Sequence, residues 1–583
     1  MPGREIIFIK RSTAIALLLL TRVFVDAQGL TISSGAYFIA NNSNLIIYSN
    51  FTNNGAFTNS GGTVIFAGAA QTFAGTTNTV FNNIIVNTGS TTTVSTSQRI
   101  AGILLSNGSV NANGMLTLLS TATQTALIDG SGAGSVTGSL TMQRYLGAGY
   151  GYKYFSSPFT AATVGSFSSW VNLTATFANF YNYIENQATS GFTVYTTATN
   201  PLSPLQGYAA DFGTATTPVT ISITGIVNNG ALSTTLYNHN QTYTLGFNLA
   251  GNPYPSPIDW NAASGWTKTN IDNAIYYFDS GSTSQYTGTY STYINGVSSD
   301  GVASNIIASM QGFFVHVTNG SYPVTGTFAL TNSVRVNNLA PVFHKATLSL
   351  LVNPRILLRL SANFSDNPLS ADPLVVYFDD KATPAFDNGL DAIKLMNTNG
   401  QVPNIYSLTA GGQKLVINAL PGPDTLMVVP LGLQTSRDGV ITFKLRNAGQ
   451  WPANLPVYLT DAVTGVNQNL QQNPTFSVSV KQGTYENRFS LRCMPLNIPA
   501  TSGAADEMYV YSAGGNPFIH INLVVNQKGY LTISDIRGMI ISRKAVSGNG
   551  DYELASGMPD AIYIVSFINA AGVHSKKVFL RSR

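Results

Sequence analysis

Apolar residues recur along this chain in short, strand-length pulses, without the 3.6-residue period of an amphipathic helix. Between Gly29 and Gln143 the pulses read LTIS, YFIA, LIIYSNFTN, AFTNS, TVIFAG, TVFNNIIVNT, GILLSN and GMLTLLS. The gaps are of turn length and are made of Asn, Gly, Ser and Thr. Only Arg99 and Asp129 are charged in that stretch. Fragments echo one another, as Phe51-Thr52-Asn53-Asn54-Gly55 is followed by Ala56-Phe57-Thr58-Asn59-Ser60. A chain that winds strands into rungs buries its apolar positions and stacks Asn and Thr in ladders. Residues 28–143 therefore read as a short right-handed β-solenoid, with an open sandwich as the alternative.

Further along, the texture changes twice. Residues 144–340 are rich in aromatics, with Tyr181-Asn182-Tyr183, the run GNPYPSPIDW from Gly251 to Trp260, and QGFFVHV from Gln311 to Val317. Strands and long turns alternate there, which predicts a β-sandwich. Residues 341–494 alternate more cleanly (ILLRLSA, PLVVYFDD, KLVINAL, GVITFKLRN, PVYLTDA, TFSVSV) and predict a second, jelly-roll-like sandwich. Residues 495–507, containing PLNIPATSGAAD, read as a linker before a last β module at 508–583. The fold class expected is all-β throughout. The stretch 28–143 is similar to solenoid-like segments of bacterial surface and adhesin proteins. The run carrying GNPYPSPIDW and QGFFVHV resembles a domain that recurs in large Bacteroidota surface proteins.

At the start, Arg4, Lys10 and Arg11 precede the apolar run Thr13 to Leu20, and small or apolar residues occupy Val25 and Ala27. Residues 1–27 therefore read as a signal peptide cleaved after Ala27. The run is too short to span a bilayer, and no later segment reaches eighteen apolar residues, so no transmembrane span is expected in the mature chain.

In the last module, Ile519 and Ile521 alternate with His520 and Asn522, and Tyr530 to Ile536 repeats the alternation before Arg537-Gly538 turns the chain. Ala561 to Phe567 is apolar on both faces, which predicts a central strand, and Lys576-Lys577-Val578 opens the final one. Ile533-Ser534-Asp535 with Gly538, then Tyr563-Ile564-Val565, then Lys576-Lys577-Val578, resembles the type A C-terminal sorting domain of type IX secretion cargo. Ser534 stands where that family has an aromatic, and Asp560-Ala561-Ile562 where it has Gly-Val. The resemblance implies an Ig-like sandwich, with Asp535, Gly538, Tyr563, Lys576 and Lys577 as motif residues. It also implies the type IX secretion machinery as partner, and delivery through the periplasm to the outer surface or the medium.

Composition narrows the chemistry. Only 9% of the 583 residues are charged, against about 25% in ordinary domains. The net charge of +4 includes no basic stripe interleaved with aromatics, so nucleic acid is not an expected partner. Cys493 is the single cysteine, which excludes an intrachain disulfide and cysteine-pair metal sites. No HExxH, GxSxG, Walker A or GxGxxG motif occurs, and His239, His316, His344, His520 and His574 are widely spaced. No cofactor or metal is expected, and His316 reads as a hydrogen-bonded core or edge residue. Asp366, Asp372, Asp379 and Asp380 match no calcium loop and read as solvated turns.

Pro253, Pro255 and Pro257 stiffen their neighbours into extended conformations, so the strut could present Tyr254 and Trp260 for sugar stacking, with Asp259 beside them. Glu185 is the only acid in its aromatic neighbourhood, and nothing in the sequence pairs it with Asp259 as glycoside hydrolysis would require. The competing reading puts both rings in the sandwich core. The function expected is that of a non-enzymatic surface or secreted protein, adhesive or part of a matrix. The alternative is a carbohydrate-binding or carbohydrate-active one.

Overall fold

Three long ladders of parallel strands, with the short parallel pair Tyr37–Ile39 and Ala56–Thr58, form the first part of the molecule in the computed structural model. The structure describes residues 29–280, 288–341, 343, 354–397, 399–422, 428–448, 450–452, 455–493, 507–513, 516–522, 528–547, 550–553, 559–569 and 572–580. The expected signal peptide, and the linker up to residue 506, lie outside them. Among the described residues every regular element is β apart from two short 3₁₀ turns, Val164–Phe167 and Asn332–Val334. No helix among the described residues is long and apolar enough to cross a membrane. They fall into two compact units, divided between Met494 and Pro495.

Unit 1 begins with a solenoid-like arrangement of about six turns. One ladder stacks Leu30–Ile32, Phe51–Asn53, Ala70–Ala74, Thr91–Val94, Ser109–Asn111 and Ser135–Thr137, and consecutive strands of the chain fall on different ladders. Equivalent positions lie one above another: Leu45, Val64, Ile84, Leu104 and Ile128 form one apolar column, and Ile47, Phe66 and Val86 another. Phe51, Phe66, Phe73 and Phe81 are fully buried in the lumen. Buried amides serve the corners between faces, where ladder bonds run out. Gln71 Nε2 donates to the carbonyls of Ile47 (2.9 Å) and Ser49 (2.7 Å) while its Oε1 accepts from Gly68 N. Asn53 and Gln98 are likewise buried and bonded.

The stack ends where Leu140–Leu146 pairs in parallel with Leu116–Leu118 on one side and antiparallel with Val219–Val227 on the other. That antiparallel strand covers the open edge of this ladder. The core does not stop at residue 143: Phe155, Phe159, Phe167, Phe180 and Phe212 pack in one continuous cluster with the solenoid interior.

Beyond the cap, one sheet joins Phe247–Gly251, Gly312–His316, Ile275–Ser280, Gly288–Ile294 and Val297–Ser298. Both of its faces are buried. Phe313, Val315, Ile275 and Tyr277 point into a core with Tyr254, Trp260 and Phe328. Phe247, Tyr276 and Phe314 point the other way, onto Leu357, Val375, Tyr377 and Ile417 of the next region. The strands of residues 357–493 repeat this arrangement, with Leu374, Val376, Ile405, Leu431, Phe443 and Phe489 forming a further core. The regions 144–340 and 341–494 thus share a buried layer, which is why their strands are apolar on both faces.

Asp391 sits in this shared layer with no exposed surface, accepting backbone N–H bonds from Ala419 (2.6 Å) and Asp387 (2.7 Å). Burial, helped by the nearby Asp387 charge, pushes its carboxyl up to about 7 against the two backbone bonds. The folded state therefore binds the proton more tightly than the unfolded chain. The stabilisation is complete below about pH 4 and is lost as pH rises through 7, on the order of 2–4 kcal/mol. Asp391→Asn is expected to flatten that slope in a series of denaturant titrations from acid to neutral pH. An unchanged slope would assign it to another group.

Unit 2 has two sheets, one of Glu507–Ala513, Asn516–Asn522 and Gly550–Glu553, the other of Ile540–Ser547, Lys528–Asp535, Ala561–Asn569 and Gly572–Leu580. Met508, Ile519, Ile521, Leu531, Ile533, Val546, Tyr563, Val565 and Phe567 form its core. Ala561–Asn569 is an interior strand of the four-stranded sheet, as its apolar run predicts, though Ile562 is exposed.

Candidate functional site

The GNPYPSPIDW run forms a rigid junction inside unit 1. Proline lacks a backbone donor but keeps its carbonyl, and three different segments use the three carbonyls. Asn228 Nδ2 donates to Pro253 O (3.0 Å), Ile128 N of the solenoid to Pro255 O (3.0 Å), and Val336 N to Pro257 O (3.0 Å). Asn252 holds the bend from within: its Nδ2 donates to the carbonyls of Ser256, Ile307 and Ala308, and its Oδ1 accepts from Tyr254 N.

Arg335 closes the junction. Its Nε donates to Ser256 Oγ (2.8 Å), its Nη2 to the Ile128 carbonyl, and its guanidinium lies 5.0 Å over the Tyr254 ring. Burial draws the guanidinium down to about 10, so it stays cationic at neutral pH. A second arginine, Arg144, sits wholly buried at the end of the solenoid stack. It donates to Thr125 Oγ1 (2.9 Å) and the Pro341 carbonyl (3.1 Å), with the Phe343 ring 5.6 Å away. Sequence reading missed both arginines, because each bridges segments far apart in the chain, Arg144 to Pro341 and Arg335 to Ile128.

Tyr254 and Trp260 are 0% and 1% exposed. A stacking surface needs an open ring face, and neither has one: both rings plug the core. Tyr254 OH donates to the Gly230 carbonyl, and burial raises its phenol to about 12. Trp260 Nε1 donates to Asn273 O (3.0 Å), with the Lys268 ammonium 3.9 Å over its ring. Asp259 is half-buried, its Oδ1 accepting from Asn261 N (2.8 Å) and Asn305 Nδ2 (2.6 Å). Glu185 belongs to another network, 2.6 Å from His239 Nδ1 and accepting from His239 N. Both acids are therefore taken up by local hydrogen bonds.

His316 is buried with Nδ1 2.6 Å from Asp272 Oδ2 and Nε2 2.9 Å from the Leu245 carbonyl. A carbonyl only accepts, so Nε2 carries a proton and offers no lone pair to a substrate or metal. No group of three or more His, Cys, Asp or Glu side chains suited to a metal gathers among the described residues. Asp372 is not in a solvated turn. It is fully buried at the start of the strand Asp372–Phe378 and paired with Lys394, an arrangement betrayed in the sequence only by a lysine inside the apolar run DAIKLM.

In unit 2, the sheet register brings the motif residues together. Asp535 pairs with Tyr563, and Tyr563 with Val578, in one row across three strands. Ile564 opposite Lys577 and Val565 opposite Lys576 form the adjoining rows. Asp535 Oδ1 accepts from Arg537 N and Met539 N (both 2.9 Å), and Gly538 N donates to Asp535 O (3.0 Å). Gly538 has φ +85°, the left-handed conformation that closes this short hairpin. The Met539 N–H bond, with the Arg537 contacts, holds the Asp535 carboxyl below the usual range. Tyr563 is in the core with its OH donating to Pro559 O (2.8 Å), whereas Lys576 and Lys577 are exposed. Gly538→Val is expected to weaken the hairpin by about 1–2 kcal/mol, measurable as faster amide exchange at Ile533 to Ile541. Unchanged exchange would mean the turn does not depend on glycine.

No curated protein matches the chain at a significant level. One family model does match, described as Domain of unknown function (DUF8693), over residues 49–493. That span starts within the solenoid and stops at the end of the last strand of unit 1, Gly483–Cys493, so it runs across all the shared cores and leaves out unit 2. Covering well over half of the sequence, the match makes this chain a member of the DUF8693 family.

Proposed function

We propose that this is an exported, non-enzymatic surface or matrix protein with an adhesive role, in which unit 1 is the displayed body and unit 2 the address read by the type IX secretion machinery. The observation that carries the proposal is the row Asp535–Tyr563–Val578 beside exposed Lys576 and Lys577, on a unit compact in itself. A receptor can read a separately folded module while the body stays folded. Charge adds to this: from Met508 onward, eight Lys or Arg face four Asp or Glu, so 8 − 4 = +4. Around the hairpin, Ile536, Met539, Ile540, Ile541, Ile562 and Phe579 are all exposed. Clusters of exposed apolar side chains of this kind mark surfaces that meet a partner.

For unit 1, support comes from a solenoid and buried β cores in which Glu185, His239, Asp259 and His316 are engaged in structural bonds. The reading of Tyr254 and Trp260 as a sugar platform has lost its basis with their burial.

Deleting residues 508–583 is expected to leave the protein in the periplasm, scored by fractionation and by protease digestion of intact cells. Surface display unchanged by the deletion would overturn the address.

A further inference from the structure

We propose that Lys394 and Asn397 become joined by a side-chain amide bond that the protein forms on itself, with Asp372 as the proton carrier. All three side chains are buried, at 2%, 7% and 0% exposure. A single carboxylate touches both reacting nitrogens. Lys394 Nζ lies 2.6 Å from Asp372 Oδ1 and 2.6 Å from Oδ2, and Asn397 Nδ2 donates to the same Oδ1 at 2.6 Å. The carboxylate is fixed in turn by Ile405 N, which donates to Oδ2 at 2.7 Å.

The amide partner is also held. Asn397 N donates to Asn404 Oδ1 (2.6 Å), and Asn404 Nδ2 returns a bond to Asn397 O (3.2 Å). Asn397 Oδ1 is buried without a hydrogen-bond partner. Asn397 Nδ2 is held by Asp372 and by the Pro403 carbonyl (3.3 Å), so the carboxamide is fixed in place with its oxygen alone left bare in a dry site that also holds the amine.

Burial supplies the right protonation states. It raises the Asp372 carboxyl and lowers the Lys394 ammonium, although their mutual attraction works against both shifts. Passing the proton from Lys394 to Asp372 leaves a neutral amine, the nucleophilic form, and a carboxylic acid.

The step balances without any co-reactant. The lone pair of Nζ forms a bond to Asn397 Cγ, and the Cγ–Nδ2 bond breaks. Asp372 gives its proton to the departing Nδ2 and recovers one from Nζ. Lysine amine plus asparagine carboxamide yield a secondary amide plus ammonia, and Asp372 ends as it began. Exclusion of water protects the product from hydrolysis.

Mass spectrometry of the full-length folded protein tests this directly. The expected mass is lower than the sequence mass by one ammonia. Trypsin does not cut after an acylated lysine, so residues 382–414 should appear as one uncleaved peptide carrying the deficit. Lys394→Arg keeps a cation for Asp372 but no nucleophile, and should show the full sequence mass. Cleavage after Lys394 at full mass would overturn the proposal. So would a deficit of one water, which would make Asp372 the acyl donor. A deficit confined to the cleaved fragment 395–414 would also overturn it, because cyclisation at Asn399-Gly400 gives that result.

Discussion

Trp260→Ala is expected to destabilise unit 1 by about 3–5 kcal/mol, in a single cooperative transition. The indole packs 5.0 Å from Trp266, 6.1 Å from Phe313 and 6.2 Å from Phe328, so truncation opens a cavity walled by large rings that cannot collapse into it. It also strands the Asn273 carbonyl and removes the ring beneath Lys268. Burial already draws that ammonium down to about 8, and it is held by Asn273 Oδ1 (2.8 Å). The damage cannot stay local, because neighbouring residues of one strand serve different cores: Phe313 packs with Trp260, and Phe314 with Tyr377. Denaturant unfolding followed by circular dichroism should show a lower midpoint with an unchanged slope. Trp260→Phe, which fills most of the space but loses the N–H, should cost about 1–3 kcal/mol. A loss below 1 kcal/mol for the alanine variant would mean that the ring is not a core element.

Phe81→Ala should cost a similar amount, about 3–5 kcal/mol, with a different pattern. Phe81 is fully buried and lies 5.3 Å from Phe51, 5.6 Å from Phe57 and 5.5 Å from Phe73. These rings belong to adjacent turns of the solenoid, and in a stacked array each turn is stabilised only by its neighbours. The first turns should therefore open without the β cores that follow the solenoid. Hydrogen exchange is expected to lose protection from Leu30 to Val86 while the strands from Leu357 to Cys493 keep theirs. Uniform loss across unit 1 would show that the solenoid does not behave as a stack.

Local order was well encoded in the sequence. The strand pulses, the turn glycines, and the alternation of Ile519 and Ile521 follow from period-two patterning, which depends only on neighbouring residues. The solenoid reading rested on the same signal, since each turn presents its own inward positions. Partnerships across the chain were not legible. That Tyr276 and Tyr277 serve different cores follows from which sheet packs where. Asn53 and Gln71 look like surface residues by composition, yet they sit inside because corner carbonyls need donors. Asp372 looked like a turn residue because its partners Lys394 and Ile405 come from separate later segments. In the candidate site, the three prolines pointed to rigidity, but only the fold shows that the rigidity holds a junction.

The junction also bears on how quickly the molecule can assemble. Its bonds join Ile128 to Arg335, Asp129 to Asn337 and Arg144 to Pro341, separations of 207, 208 and 197 residues. Ordering so long a loop costs entropy before any contact returns it, so such closures come late and slowly. Solenoid turns can form from neighbouring segments as the chain emerges. The end of the stack stays unlocked until the strands after residue 219 and the arginine at 335 arrive. A chain with that topology keeps the end of its solenoid loosely folded for a long interval, and the locking step there waits on residues made some two hundred positions later.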